Sequence, residues 1–144
     1  HPGQLARLRE NVEAAGVASR LESVAIDLLD RTRAFPAGFD AVWMSQLLDC
    51  FGEADALSIL ERGKAALAPG GTLSVLESFW DRQPNEVGRL CVHGLSLYFT
   101  CMANGTSRMF HSGDLLELIP RAGLRLVEDR AIGQTHTLLT CAAA

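Results

Sequence analysis

The chain has 144 residues, one domain's worth, and a domain of that size buries roughly 68–70% of the surface its unfolded form exposes. With 48% hydrophobic and 21% charged residues it is neither a disordered tail nor a charged coiled coil. A net charge of -4 argues against a nucleic-acid backbone as partner, and the longest apolar stretch, Leu95 to Ala103, is too short for a membrane span.

The first predicted element is an amphipathic helix. Leu5, Leu8, Val12 and Ala15 recur at spacings of three and four, and Gly16 is placed to stop the helix in a left-handed cap. Leu21 to Asp27 reads as a strand with Val24 and Ile26 facing a core, followed by a polar loop containing Pro36 and Gly38. Phe39-Asp40-Ala41-Val42-Trp43-Met44 has the continuous apolar character of a strand buried on both faces.

A second helix opens near Glu53 and Asp55, acids that suit a helix N-terminus. Its inner stripe is Ala56, Leu60, Gly63 and Leu67, and Pro69-Gly70-Gly71 breaks it. Thr72 to Phe79 is the next buried strand. Residues from Glu86 to Met102 form a helix whose broad apolar face carries Val87, Leu90, Leu95, Tyr98 and Met102. Ser112 is the expected N-cap of a further helix with Leu115, Leu118 and Ile119 inside; Pro120 should bend or end it early, and Gly123 closes it. Leu124 to Glu128 and His136 to Cys141 are two strands joined across Gly133, close enough in sequence to pair antiparallel. Strands alternating with helices give an α/β fold with a mainly parallel sheet.

Cys50, Cys91, Cys101 and Cys141 lie far apart, with no metal-ligand spacing, and read as reduced thiols of a cytoplasmic protein. No secretory leader pattern opens the chain, which starts at His1. A Ser107-His111-Asp49 hydrolase triad lacks its G-x-S-x-G turn, and a nicotinamide site lacks its glycine fingerprint.

Three segments carry a family resemblance. They are Val24-Ala25-Ile26-Asp27-Leu28; Phe39 to Met44 running into Gln46-Leu47-Leu48-Asp49-Cys50-Phe51; and Ala66-Leu67-Ala68-Pro69-Gly70-Gly71-Thr72-Leu73 leading to Glu77. In this order they resemble the C-terminal half of class I S-adenosylmethionine-dependent methyltransferases, nearest to small-molecule O-methyltransferases of the hydroxyaromatic type. The tail from Gly105 to Leu124 and the opening Pro2-Gly3-Gln4-Leu5 extend the likeness over nearly the whole chain.

The resemblance implies a Rossmann-like sheet, mostly parallel with an antiparallel C-terminal strand. The family's glycine-rich first strand and ribose-binding acid have no counterpart in residues 1–144, so these read as the C-terminal part of a catalytic domain in a protein longer at its N-terminus. A rearranged fold, or a partner chain supplying the strands, are the alternatives. Homodimerisation would run through a segment outside this chain.

The same resemblance implies S-adenosylmethionine as cofactor and a small hydroxylated, aromatic acceptor. Asp27 and Leu28 fall where the family holds the adenine, and Met44-Ser45 ends a strand at the sheet's carboxyl edge, where ligands of open α/β sheets gather. Asp49 stands where plant-type members carry a catalytic histidine. An aspartate is a weak base towards a phenol unless burial raises its pKa. Glu77 matches a carboxylate that orients that histidine; here it would face Asp49 or the acceptor, and two carboxylates in one pocket push one pKa up. His111 is the other candidate base. His93, Tyr98, Phe99, Met102 and Met109 match positions lining an aromatic acceptor pocket. No metal is implied. The alternative reading is a methyltransferase-like domain that has lost its chemistry and serves binding or scaffolding.

Overall fold

The computed structural model describes residues 2–103 and 105–144. They form two compact units, His1–Arg33 and Ala34–Ala144.

The first unit holds helix α1 (Pro2–Ala14) and a single 3-10 turn, Ala18–Arg20. Gly16 ends α1 as expected, at φ 68°, with Val17 N–H donating back to Val12 C=O and Gly16 N–H to Glu13 C=O. The strand expected over Leu21 to Asp27 does not form, and Val24 is exposed. A strand exists only through its ladder, and this segment has no ladder partner among the described residues. The chain turns on aspartates instead: Asp27 Oδ1 accepts Leu29 N–H at 3.0 Å, and Asp30 Oδ1 accepts Thr32 N–H at 3.0 Å.

The second unit is an α/β sheet with helices. In chain order it contains β1 (Phe39–Ser45), α2 (Glu53–Ala65), β2 (Leu67–Glu77), α3 (Glu86–Met102), α4 (Ser112–Arg121), β3 (Leu124–Ile132) and β4 (His136–Ala143). The strand order is β1-β2-β4-β3: β1 and β2 run parallel, and β4 pairs antiparallel with both neighbours. The antiparallel C-terminal end is as expected, and the parallel part in this chain is the β1–β2 pair. Helix α2 packs on β2 and α4 on β3, and the two helices touch each other. Ile59 and Leu60, Leu115, Leu118 and Ile119, and Leu73, Val75, Leu124 and Leu139 make the core between them.

Four local expectations need correction. First, β1 is not buried on both faces: Trp43 is 60% exposed, and only Met44 is buried. It is an edge strand in this sheet; Met44 reaches the Gly63 position on α2, while the Phe39, Ala41 and Trp43 face has no cover within this unit. Second, Pro69-Gly70-Gly71 does not break α2, which has already ended at Ala65. The three residues lie inside β2, where the step from Leu67 to Thr72 faces only Phe39 to Ala41 on β1. Gly71 is required there, because a Cβ would sit 2.9 Å from Phe39 C=O.

Third, the N-cap of α4 is His111 and not Ser112: His111 Nδ1 accepts Gly113 N–H at 3.0 Å, while the Ser112 hydroxyl is bonded elsewhere. Pro120 lies in the last turn, where its missing N–H leaves Leu116 C=O without the usual helix donor, and the helix still runs one residue past it. Fourth, α3 spans the expected residues, but its apolar face is open: Val92 is its only buried residue, and Met102 is 70% exposed.

Candidate functional site

Parallel pairing brings the carboxyl ends of β1 and β2 together, with Ser45 opposite Leu76. The chain leaves β1 at Gln46, which adopts φ 49°, a left-handed conformation that few non-glycine residues take. Gln46 N–H donates to Leu76 C=O at 2.9 Å. The next two amides turn onto one carboxylate: Glu77 Oε1 accepts Leu47 N–H at 3.0 Å and Leu48 N–H at 2.9 Å. A 3-10 turn, Leu48–Cys50, follows and carries Asp49.

Both acids are buried, Glu77 at 1% and Asp49 at 9% exposure. Burial and then the charge of Asp49 push the Glu77 carboxyl up to about 7, against the pull of the turn's N–H groups. Burial also raises Asp49, and hydrogen bonds from Cys50 oppose it. The Cys50 Sγ donates to Asp49 Oδ1 at 3.6 Å, and its thiol is pushed up to about 11, by burial first and then by Asp49. Glu77 Oε2 is buried without a hydrogen bond. Two such carboxyls titrate as a pair, and near neutral pH the pair exchanges a proton. The resemblance left Glu77 facing Asp49 or the acceptor; in this chain the charge of Asp49 acts on it.

A small cavity of about 110 Å³ opens beside Asp49, lined also by Gln46, Cys50, Phe99, Ser107, Arg108 and Met109. Its far wall is stitched to the Asp49 turn: Arg108 N–H donates to Asp49 C=O at 2.9 Å, Ser107 Oγ to Cys50 C=O at 3.2 Å, and Thr100 Oγ1 to Ser107 C=O at 2.7 Å. A larger cavity, about 420 Å³, is lined mainly by Cys91, Val92 and Leu95 of α3 with Ser78, Gln83, Thr135 and His136. Gln46 and Met109 line both.

The remaining sequence candidates separate. Met109 lines both cavities as expected. Tyr98 and Met102 instead point away to solvent, because α3 leaves that face uncovered; Phe99, the neighbour of Tyr98, takes the wall position. His93 and His111 each lie 4.9 Å from the Trp80 ring, and neither lines the two cavities. His111 has its Nδ1 committed to capping α4, and its Nε2 is 3.6 Å from Asp81 Oδ2. Asp81 also accepts Ser112 N–H at 2.8 Å and the Ser112 hydroxyl at 2.6 Å. Burial works against its carboxylate, but the Ser112 bonds outweigh it and hold its pKa below the usual value.

Met44 spends its side chain on the core under α2, which leaves its backbone and Ser45 at the sheet edge. Asp27 and Leu28 belong to the first unit, where Asp27 Oδ1 is held by its turn. Gln46, Ser107 and Arg108 were not legible as site residues; Phe99 was matched to the acceptor pocket by the family resemblance, and here it lines the smaller cavity. Among the described residues no group of three His, Cys, Asp or Glu side chains converges as a metal site, and no helix is long and apolar enough to cross a membrane.

No protein-family model and no curated protein matches the chain. Solved structures do match. An O-methyltransferase family 2 protein from Planctomyces limnophilus, in complex with apigenin, superposes with a TM-score of 0.82 at 21% identity, over 100% of this chain and 42% of that one. The O-methyltransferase NcsB1 from neocarzinostatin biosynthesis, in complex with S-adenosylmethionine and 2-hydroxy-5-methyl naphthoic acid, gives 0.77 at 21% over 96% and 38%. RosA, the N,N-8-amino-8-demethyl-D-riboflavin dimethyltransferase of Streptomyces davawensis, gives 0.76 at 23% over 96% and 39%. The chain spans about two fifths of the length of these structures. At that length it has the fold of the C-terminal part of O-methyltransferases.

Proposed function

We propose that the chain is the base-bearing, acceptor-side part of an S-adenosylmethionine-dependent methyltransferase acting on a small hydroxylated aromatic molecule. The observation that carries the reading is the buried Asp49–Glu77 pair beside a cavity at the carboxyl edge of the sheet. Phenols surrender their proton near pH 10, so Asp49, whose proton affinity burial raises, is better matched to them than an ordinary carboxylate.

S-adenosylmethionine, when bound, supplies a methyl group open to in-line attack. The family resemblance assigns Asp27 and Leu28 of the first unit, and Met44 and Ser45 of the second, to holding it. The fit is to an amine donor at Asp27, and Ser45 lies exposed at the strand end. The chain's own work is proton removal and alignment. Asp49 receives the acceptor's hydroxyl proton as the new C–O bond forms, and Glu77 sets the proton affinity of the pair. Phe99 and Met109 flank the ring, and the Gln46 side of the cavity orients it. His111 caps α4 and packs edge-on against Trp80.

Two of the similar structures are complexes with 2-hydroxy-5-methyl naphthoic acid and with apigenin, and RosA is an N,N-8-amino-8-demethyl-D-riboflavin dimethyltransferase. We favour oxygen, because an amine nucleophile needs no buried carboxylate pair to lose its proton before attack. The test is S-adenosylhomocysteine release from a panel of phenols and anilines by the unmodified protein. Turnover of phenols that rises with pH through about 7 supports the reading. Cofactor binding without turnover of any member points to the scaffolding alternative.

A further inference from the structure

The larger cavity contains a hydrogen-bonding imbalance that proton removal does not use. Gln83, in the connection between β2 and α3, is 7% exposed. Its Nε2 donates to Phe79 C=O at 2.7 Å and to Thr135 C=O at 3.1 Å. Those two carbonyls decide the amide's orientation, since the reverse rotamer would set Oε1 against two oxygens. Oε1 is therefore fixed on the other side, buried, with no hydrogen-bond partner among the described residues. Native structures rarely leave such a group unmatched.

The surroundings fit a ligand. Val92, Leu95 and Met109 give the cavity an apolar wall, and its volume of about 420 Å³ is in the range of small-molecule sites, roughly 300–1,000 Å³. Gly88 lies beside the amide: a Cβ there would come 3.5 Å from Gln83 Oε1 and 3.4 Å from its Cβ, so the glycine keeps this corner open. Gln46 and Met109 line both cavities, so the larger one and the Asp49 cavity are neighbours across these two side chains.

We propose that Gln83 Oε1 is a specificity-determining acceptor that receives a hydrogen bond from a second hydroxyl or amine on a flat, largely apolar methyl acceptor. The identity of the ligand as methyl acceptor rests on the reading above; the binding preference does not. A site built to accept a donor discriminates strongly against the analogue that lacks it.

The experiment is calorimetric titration of the full-length protein with 2-naphthol and with the isomeric dihydroxynaphthalenes. At least one isomer is expected to bind tenfold or more tightly than 2-naphthol, and its ether methylated at the second hydroxyl should fall back to the naphthol level. In Gln83→Met the preference for that isomer should drop below twofold. The proposal is overturned if no isomer exceeds 2-naphthol by more than twofold, if the ether binds as tightly as the diol, or if Gln83→Met keeps the preference. Should that variant not fold, the ligand series on the unmodified protein still decides. S-adenosylhomocysteine release is followed separately. Its absence with the diol preference intact defeats the methyl-transfer reading alone, whereas turnover without any preference defeats the Gln83 assignment alone.

Discussion

Replacing Glu77 by glutamine should make the protein more stable above neutral pH while removing its proton-accepting pair. Burial and the neighbouring Asp49 move the Glu77 carboxyl from 4.5 to about 7 on folding. Below pH 4.5 the group is protonated in both folded and unfolded chains and has no effect on stability. As pH rises from 4.5 towards 7 the unfolded chain releases a proton that the folded one retains, so stability falls. Above 7 the loss is complete and amounts to about 3 kcal/mol. Glutamine is neutral throughout. Its Oε1 still accepts the Leu47 and Leu48 amides, and its Nε2 occupies the place of the unbonded Oε2. Urea denaturation from pH 5 to 8 should show a Glu77→Gln advantage that is small at pH 5 and grows to about 1–3 kcal/mol at pH 8. A difference that stays flat across that range, or a variant less stable at pH 8 than at pH 5 relative to the parent, would refute the buried-charge argument.

Asp49→Asn should lower methyl transfer by about 10²–10⁴ with cofactor affinity within about twofold, the usual share of a general base. Its residual pH profile should rise earlier, because Glu77 has lost a negative neighbour. His111→Ala removes the cap of α4 and should cost about 1 kcal/mol in thermal unfolding, with less than a tenfold loss of rate; a collapse of rate would move the base to His111. Gly63→Ala places a Cβ 2.7 Å from Met44 Cε and 2.8 Å from Leu73 Cδ1, and the overpacking should destabilise by about 1–3 kcal/mol despite the better helix propensity.

Helices α2 and α4 were legible because their apolar stripes meet partners within the same unit: Ala56, Leu60 and Gly63 face β2, and Leu115, Leu118 and Ile119 face β3 and α2. Helix α3 had as clear a period, and its limits were read correctly. Periodicity reports that a helix has two faces, however, and not that anything covers the apolar one. Tyr98 and Met102 were matched to a pocket by the family resemblance, and in this unit both are exposed. The segment Leu21 to Asp27 failed for the matching reason in sheets, since alternation is a property of the strand and pairing a property of its neighbours. Asp49 and Glu77 were singled out by the family resemblance, and both follow strands at the sheet's carboxyl edge. The left-handed Gln46 and the capping role of His111 were not, since each depends on a backbone geometry that many side chains tolerate.

The register of one parallel pair connects these observations. Because Ser45 lies opposite Leu76, the first amides past β1 reach the last side chain of β2, and Leu47 and Leu48 both donate to Glu77 Oε1. The same turn carries Asp49, twenty-eight residues before Glu77 in sequence. Hydrogen bonds to an ionised carboxylate are roughly twice as strong as those to a neutral acid. Ionising Glu77 therefore tightens its hold on the turn and raises the proton affinity of Asp49 in one step. The turn is held most firmly in the state in which the pair has a proton to gain, and a base fixed in place before its substrate arrives loses the least in positioning it.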